Sequence, residues 1–209
     1  RRRFLELEQI PKLIESCSEW LKSIVELAIH TGMRIGEILS LKKSNILFNR
    51  RMILLDLTKN GESRDVPMDD TVFRILSDKV NECVYDYVFH TRTGKMKGYT
   101  NVRRAFKRAL DKAKISNFRI HDLRHTFASQ FIMSGGDIYT LSKILGHKDV
   151  TTTEIYAHLA SEHKRMAVLK LERHISNSQI PTEIGQNSDI KISASEKSRV
   201  VDIKFAKTV

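Results

Sequence analysis

The chain has 209 residues, enough for one domain with a single hydrophobic core. Its 36 lysines and arginines outnumber 25 aspartates and glutamates, so the net charge is +11 and the isoelectric point is near 9.7. Such an excess attracts polyanions and indicates nucleic acid as a partner. No run approaches the roughly 18 apolar residues of a membrane span, so we expect a soluble, cytoplasmic protein without a membrane partner.

Helical patterns dominate the first part of the chain. Apolar residues recur at helical spacing from Leu13 to Ile29, and Gly32 is a predicted helix stop. A shorter helix is predicted over residues 35–41.

The next segment has the pattern of strands. Apolar runs at 46–48 and 52–57 flank a turn, and Asn60-Gly61 predicts a hairpin tip that leads into a third strand at 64–67. We therefore predict a small three-stranded antiparallel sheet with Lys59 beside its second turn.

Helical patterns then resume, and the fold class is predicted to be mainly α with one small sheet (α+β). The predicted helices are one that is capped by Asp69-Asp70 and buries Val72 to Val80, a basic helix over 100–114, helices over 121–134 and 137–145, one that opens at a Thr151-x-x-Glu154 capping box and contains Tyr156, and a last one over 161–173.

The composition changes after residue 174, where polar residues become frequent. We predict a domain over 1–174 and a C-terminal tail over 175–209, whose apolar patch at 200–205 is a candidate ordered element. The alternative for the tail is a disordered terminus.

Five short segments carry side chains that suit phosphoryl transfer. Arg124 precedes His147 by 23 residues, and Tyr156 follows His147 by 9. A lone His-x-x-Arg would mean little, but the ordered set is specific. The segments are TGMRIGEIL with Arg34, LTKNGESRDVPM with Lys59, HDLRHTFAS with His121 and Arg124, LGHKDVTTT with His147, and TTTEIYAHL with Tyr156.

The chemistry of these residue types explains the set. Displacement at a DNA phosphodiester builds negative charge on the non-bridging oxygens. Guanidinium groups bind two oxygens at once and stay charged, so Arg34 and Arg124 are candidates for a clamp on the phosphate. His147 is a candidate donor to the same charge. Because two arginines supply the positive charge, we expect no cofactor and no metal ion.

The five segments resemble the motifs of the tyrosine recombinase (phage integrase) family, in that family's order, over roughly residues 4–172. The resemblance implies the integrase catalytic-domain fold, with DNA cleaved and rejoined through a 3′-phosphotyrosine intermediate and no ATP. It also implies an N-terminal core-binding domain, which this chain lacks, so that residues 1–3 are expected to belong to the linker. Double-stranded DNA, a homotetramer on two DNA sites and an accessory directionality or DNA-bending protein are the expected partners, and the 175–209 tail is a candidate docking segment.

Tyr156 is the predicted nucleophile. An ordinary phenol has a pKa near 10, so ionising it at pH 7 costs roughly 4 kcal/mol. His121 shares a helix face with Arg124 and is expected to accept the phenol proton. The resemblance implies that Lys59 protonates the departing 5′ oxygen, and Lys95 and Lys97 are the alternatives.

Other residues have predicted supporting or binding roles. Glu37 lies three residues after Arg34 and could orient its guanidinium, and His125 has a supporting role. The basic residues of the 100–114 helix are either a solvated face or contacts to DNA phosphates, and we favour the contacts. The predicted DNA-binding residues are Arg103, Arg104, Lys107 and Arg108.

Three alternatives remain open at this point. His121 and His125 have the spacing of a helical zinc pair that His158 or His163 could complete, although Arg124 would put a permanent cation beside the metal. A type IB topoisomerase would use the same chemistry to relax supercoiled DNA. An inactive DNA-binding module would keep the surface without the reaction.

Overall fold

The computed structural model describes residues 3–55, 63–82, 84–160 and 163–178. The chain divides into two compact units, Arg1–Ala167 and Val168–Val209. The predicted boundary after residue 174 stays a prediction, and the tail from residue 179 onward lies outside the described residues. Within the described part, no helix is both long and apolar enough to span a membrane.

The described elements are mainly helices, as predicted from the sequence. Short 3-10 turns at Lys43–Asn45, Phe48–Arg50 and Ala157–Ala160 link some of them. The helices are α1 (Gln9–Ser16), α2 (Glu19–Thr31), α3 (Ile35–Leu39), α4 (Asp70–Glu82), α5 (Tyr99–Lys112), α6 (Asp122–Met133), α7 (Ile138–Leu145), α8 (Thr151–Glu154) and α9 (His163–Ser178).

The predicted three-stranded sheet is present and antiparallel. Its strands are β1 (Ile46–Leu47), β2 (Met52–Leu55) and β3 (Arg64–Pro67), with β2 in the middle. Ile53 of β2 lies opposite Ile46 of β1 and Val66 of β3. The fold class is therefore confirmed. The hairpin tip with Lys59 lies outside the described residues.

Helix α2 is the centre of the main core. Its residues Leu21, Ile24, Val25 and Ala28 are almost fully buried, and the helix packs against both α4 and α6. Burying the leucine, isoleucine and valine side chains contributes roughly 1.5–3 kcal/mol each. The helix ends at Gly32, whose φ of 65° is left-handed. A Cβ there would lie 2.3 Å from the Phe127 ring, so Gly32 permits both the turn and the close approach of α6.

A second apolar cluster joins α6 to α7 and to the segment after α8. Its buried members are Ala128, Ile132, Leu141, Leu145 and Tyr156. The Tyr156 side chain therefore packs on the same two helices that carry Arg124 and lead into His147, and this packing brings three distant sequence segments together.

The apolar pattern from Leu13 to Ile29 is divided between two helices, because the backbone is extended at Cys17 and Ser18. Two local predictions were wrong. The helix predicted to contain Tyr156 ends at Glu154, and Tyr156 follows it. The predicted capping box is also absent: Asp149, not Thr151, supplies the side-chain acceptor at this terminus, by accepting from the Thr151 amide at 2.9 Å.

Candidate active site

Arg124 lies at the centre of the candidate site. It projects from the first turn of α6 and is 5% exposed. Its Nη1 donates to the Gly32 carbonyl at 2.8 Å, and its Nη2 donates to the Leu145 carbonyl at 2.6 Å. Burial, followed by the charges of Arg34 and Arg64, lowers its pKa to about 10, so it remains a cation at neutral pH. Two carbonyls at helix C-termini thus hold the guanidinium in one orientation.

His147 follows the C-terminus of α7, where Gly146 adopts a left-handed φ of 68°. Its Nε2 lies 3.1 Å from Nη2 of Arg124, and its Nδ1 lies 2.8 Å from Oγ1 of the buried Thr153. Because a guanidinium can only donate, Nε2 accepts this bond and Nδ1 carries the proton that is donated to Thr153. Burial and the neighbouring charge of Arg124 lower the His147 pKa to about 4. The imidazole is therefore neutral at pH 7.

Arg34 is the N-cap residue of α3 and lies near the Gly32 turn. Its Nη1 donates to Glu37 at 3.0 Å, as predicted from the spacing, and its amide donates to the same carboxylate at 2.8 Å. The side chain is 43% exposed, so part of the guanidinium faces solvent. Glu37 therefore orients Arg34 without removing it from the surface.

Arg64 is a residue of the site that we did not predict from the sequence. It starts β3, is 9% exposed, and donates two hydrogen bonds to Glu37, at 3.1 and 2.8 Å. Its Nε donates to the Ile144 carbonyl at 3.0 Å. A signal was present: Arg64 shares a strand face with Val66 and Met68, which are buried, and a charged residue on an inward face indicates a functional position.

Tyr156 and two histidines form a row of rings. The Tyr156 hydroxyl lies 2.5 Å from Nδ1 of His125, and the His121 ring packs edge-on against His125 with centroids 5.3 Å apart. From the sequence we expected His121 to accept the phenol proton. The structure instead puts His125, expected only to support, next to the hydroxyl. Desolvation and the charge of Arg124 lower the pKa of His121.

The charges of the site do not balance. Its three arginines face one carboxylate, Glu37, and within the described residues no carboxylate forms an ion pair with Arg124. A buried cation without an anionic partner is costly. An anion that enters between Arg34 and Arg124 would offset this cost, so the site suits a phosphate group.

The basic face of α5 lies beside this site. The apolar face of the helix, with Val102, Phe106 and Ala109, is buried in the main core. Arg103 and Lys107 line a cavity of about 400 Å³ that His121 also lines. The four predicted DNA-binding residues, Arg103, Arg104, Lys107 and Arg108, are all exposed.

The predicted proton donor Lys59 cannot be located, because it lies outside the described residues. The alternative Lys97 packs over the Trp20 ring at 4.2 Å, in a cavity that contains none of the site residues above.

Among the described residues, no three His, Cys, Asp or Glu side chains form a group that could hold a metal ion.

Known proteins are similar to this chain in sequence and in fold. The profile of the phage integrase family matches residues 3–163. The integrase of Salmonella phage P22 is 33% identical over 175 residues, 78% of this chain and 45% of that protein. Tyrosine recombinase XerA of Saccharolobus solfataricus is 36% identical over 164 residues, 78% of this chain and 54% of that protein. The chain thus spans about half the length of these relatives.

A solved structure covers the same region. The catalytic domain of bacteriophage HP1 integrase superposes with a TM-score of 0.62 at 30% identity, over 80% of this chain and 94% of that domain. The residues that match the phage integrase profile, 3–163, include every described residue of the candidate site. The chain belongs to the phage integrase family, whose members include the tyrosine recombinases.

Proposed function

We propose that this chain is the catalytic domain of a site-specific DNA recombinase that cleaves and rejoins DNA strands through a 3′-phosphotyrosine intermediate at Tyr156. One observation carries the proposal: Arg124 is a buried, fixed cation without a carboxylate partner in the described residues, and it lies on the helix whose His125 contacts the Tyr156 hydroxyl. A phosphodiester bound at Arg124 supplies the missing negative charge, and the phenol is the nearby nucleophile.

The proposed step is an in-line displacement. The Tyr156 oxygen bonds to phosphorus, the bond to the 5′ oxygen breaks, and the phenol proton passes to Nδ1 of His125. Arg34 and Arg124 stabilise the charge on the non-bridging oxygens. The phosphotyrosine keeps the energy of the phosphodiester, and two guanidinium groups supply the positive charge, so the proposed reaction uses neither ATP nor a metal ion.

His147 changes its role when a phosphate binds. In the free site its Nε2 accepts from Arg124, so it cannot donate from that nitrogen. A phosphate that takes the Arg124 donors would free Nε2, and its negative charge would favour protonation of the ring. His147 would then donate to a non-bridging oxygen, the role expected from the sequence.

The other partners belong to the same proposal. Double-stranded DNA binds along the α5 face, and Lys59 of the hairpin protonates the 5′ oxygen. In a longer protein an N-terminal domain would complete the DNA clamp, and four copies would join two DNA sites, with the 175–209 tail docking into a neighbour. An accessory directionality or DNA-bending protein would act on that assembly.

A nicked suicide substrate tests the reaction. DNA sites are first selected by binding from random duplexes, and a nick beside the cleavage position lets the short product leave. The protein should then be trapped in a covalent complex that survives denaturation. Tyr156→Phe should form none, because it lacks the attacking oxygen. Tyr139→Phe, which changes an exposed tyrosine on α7, is the matched control and should form the complex normally.

Two outcomes would replace the proposal. If the wild-type chain binds the selected DNA but never forms the complex, the protein is a DNA-binding module. If it relaxes supercoiled plasmid without a preferred site or partner, the topoisomerase alternative is correct.

A further inference from the structure

Arg64 links three parts of the site that are far apart in the sequence. Its guanidinium spans both oxygens of Glu37 on α3, and its Nε contacts the Ile144 carbonyl at the end of α7, two residues before Gly146. One side chain, only 9% exposed, therefore joins the first residue of β3 to the segments that carry Arg34 and His147.

Close packing supports the same link. A Cβ added to Gly146 would lie 2.7 Å from Cδ of Arg64, and the left-handed φ of Gly146 would be strained for any other residue. Gly146 therefore both forms the turn before His147 and leaves room for the Arg64 side chain.

Glu37 receives donors from two arginines at once. Arg34 and Arg64 share its Oε1, at 3.0 and 3.1 Å, and Arg64 alone contacts Oε2 with a guanidinium nitrogen, at 2.8 Å. Burial by itself would raise the pKa of this carboxyl, but the hydrogen bonds and charge of Arg64, together with the hydrogen bonds of Arg34, lower it below its usual range. Glu37 is therefore an anion whose main partner is Arg64.

This arrangement solves an electrostatic problem. A pair of Arg34 and Glu37 alone would be neutral, and a half-buried carboxylate would hold Arg34 away from an incoming phosphate. With Arg64 added, the three groups carry a net charge of +1. Arg34 then keeps its orientation while its positive charge remains available.

We propose that Arg64 is a positioning residue for the phosphate-binding site. It neutralises the charge of Glu37, so that this carboxylate orients Arg34 while the positive charge of Arg34 remains available to a phosphate. The inference rests on the proposed function, because its readout is cleavage of DNA. In this role Arg64 acts through Glu37 and Arg34 rather than by binding the phosphate itself.

A double-mutant cycle on the suicide substrate tests this assignment. Single-turnover rates of complex formation are measured at saturating DNA for wild type, Arg64→Gln, Arg34→Gln and the double variant. Arg64→Gln should be about 10- to 100-fold slower, a fraction of the effect of losing an oxyanion donor. The double variant should match Arg34→Gln within about threefold, because Arg64 has no further effect once Arg34 is gone.

Two further variants make the test specific. Arg64→Lys keeps the charge but cannot span both carboxylate oxygens, so it should recover part of the rate and still report if Arg64→Gln does not fold. Arg51→Gln, which makes the same change beside the sheet where Arg51 pairs with Asp70, should leave the rate unchanged.

The outcomes separate the inference from the proposed function. A wild-type chain that forms no complex refutes the proposed function itself. The role of Arg64 is refuted if the wild-type chain reacts and both Arg64→Gln and Arg64→Lys react as fast as the wild type. Effects of Arg34→Gln and Arg64→Gln that multiply in the double variant would also overturn it, because Arg64 would then act independently of Arg34.

Discussion

Two groups of cations in this chain differ in how they are held. Around Arg124 the guanidinium groups are buried or half-buried and are fixed by carbonyls, an imidazole and Glu37. On α5 the side chains of Arg103, Arg104, Lys107 and Arg108 are exposed on the face opposite the core. The guanidinium groups of the first group are already at least partly desolvated in the folded protein and are held in one orientation. The second can only add attraction to a phosphate backbone, so the two should respond differently to the same substitution.

The largest expected effect is that of Arg124→Lys. Lysine keeps the charge but cannot reach the Gly32 carbonyl, the Leu145 carbonyl and His147 together. Complex formation at saturating DNA should fall by about 10²- to 10³-fold. The matched control is Arg103→Lys on α5, which should stay within about twofold of wild type. Equal losses in both variants would remove the distinction between the two groups.

Neutralising the α5 face should change binding rather than chemistry. Each change to glutamine at Arg103, Arg104, Lys107 or Arg108 should weaken DNA binding and reduce the slope of log affinity against log salt by about 1. Lys12→Gln on α1 removes an equal charge from another helix and is the control. The rate at saturating DNA should not change. If the slope is unaltered, the α5 face is only solvated.

The free energy of unfolding should depend on the neutral His147. Unfolded, this histidine binds a proton below its ordinary pKa of 6.5, but folded it does so only below about 4. The contribution of His147 to stability should therefore be fully present above pH 6.5 and should be lost as the pH falls toward 4. We expect a loss of about 2 kcal/mol, less than the roughly 3 kcal/mol of the full pKa difference, because solvent screens a partly exposed ring. Denaturant titrations at several pH values measure this. His147→Gln should show a shallower decline, and an unchanged decline would contradict the assignment.

The smallest expected effect is that of Thr153→Val. The substitution removes the acceptor for Nδ1 of His147 at a fully buried position, so the ring loses its orientation. Complex formation should slow by about fivefold, which corresponds to the roughly 1 kcal/mol of a typical hydrogen bond. Thr126→Val, at an equally buried threonine that bonds to Asp122 and Leu5, should lower stability but leave the rate unchanged.

Much of the fold could be read from the sequence, because its signals are local. The apolar stripe of α2, the amphipathic α5 and the Gly32 turn follow from spacing and residue type, and all are present. The segment around Tyr156 was misjudged because its position depends on packing against α6 and α7, whereas a four-residue helix has little propensity of its own.

The sequence alone determined three features: the ordered set of arginines, histidines and a tyrosine, the basic excess, and the small sheet. Each of these features depends on residue identity or near-neighbour spacing. Only the tertiary structure decided which histidine contacts the tyrosine hydroxyl, how His147 is protonated and that Arg64 belongs to the site. These depend on distances between segments up to 80 residues apart, as between Arg64 and Ile144, and on burial that changes proton affinity. Such distances are set by how the helices pack, which residue spacing does not encode.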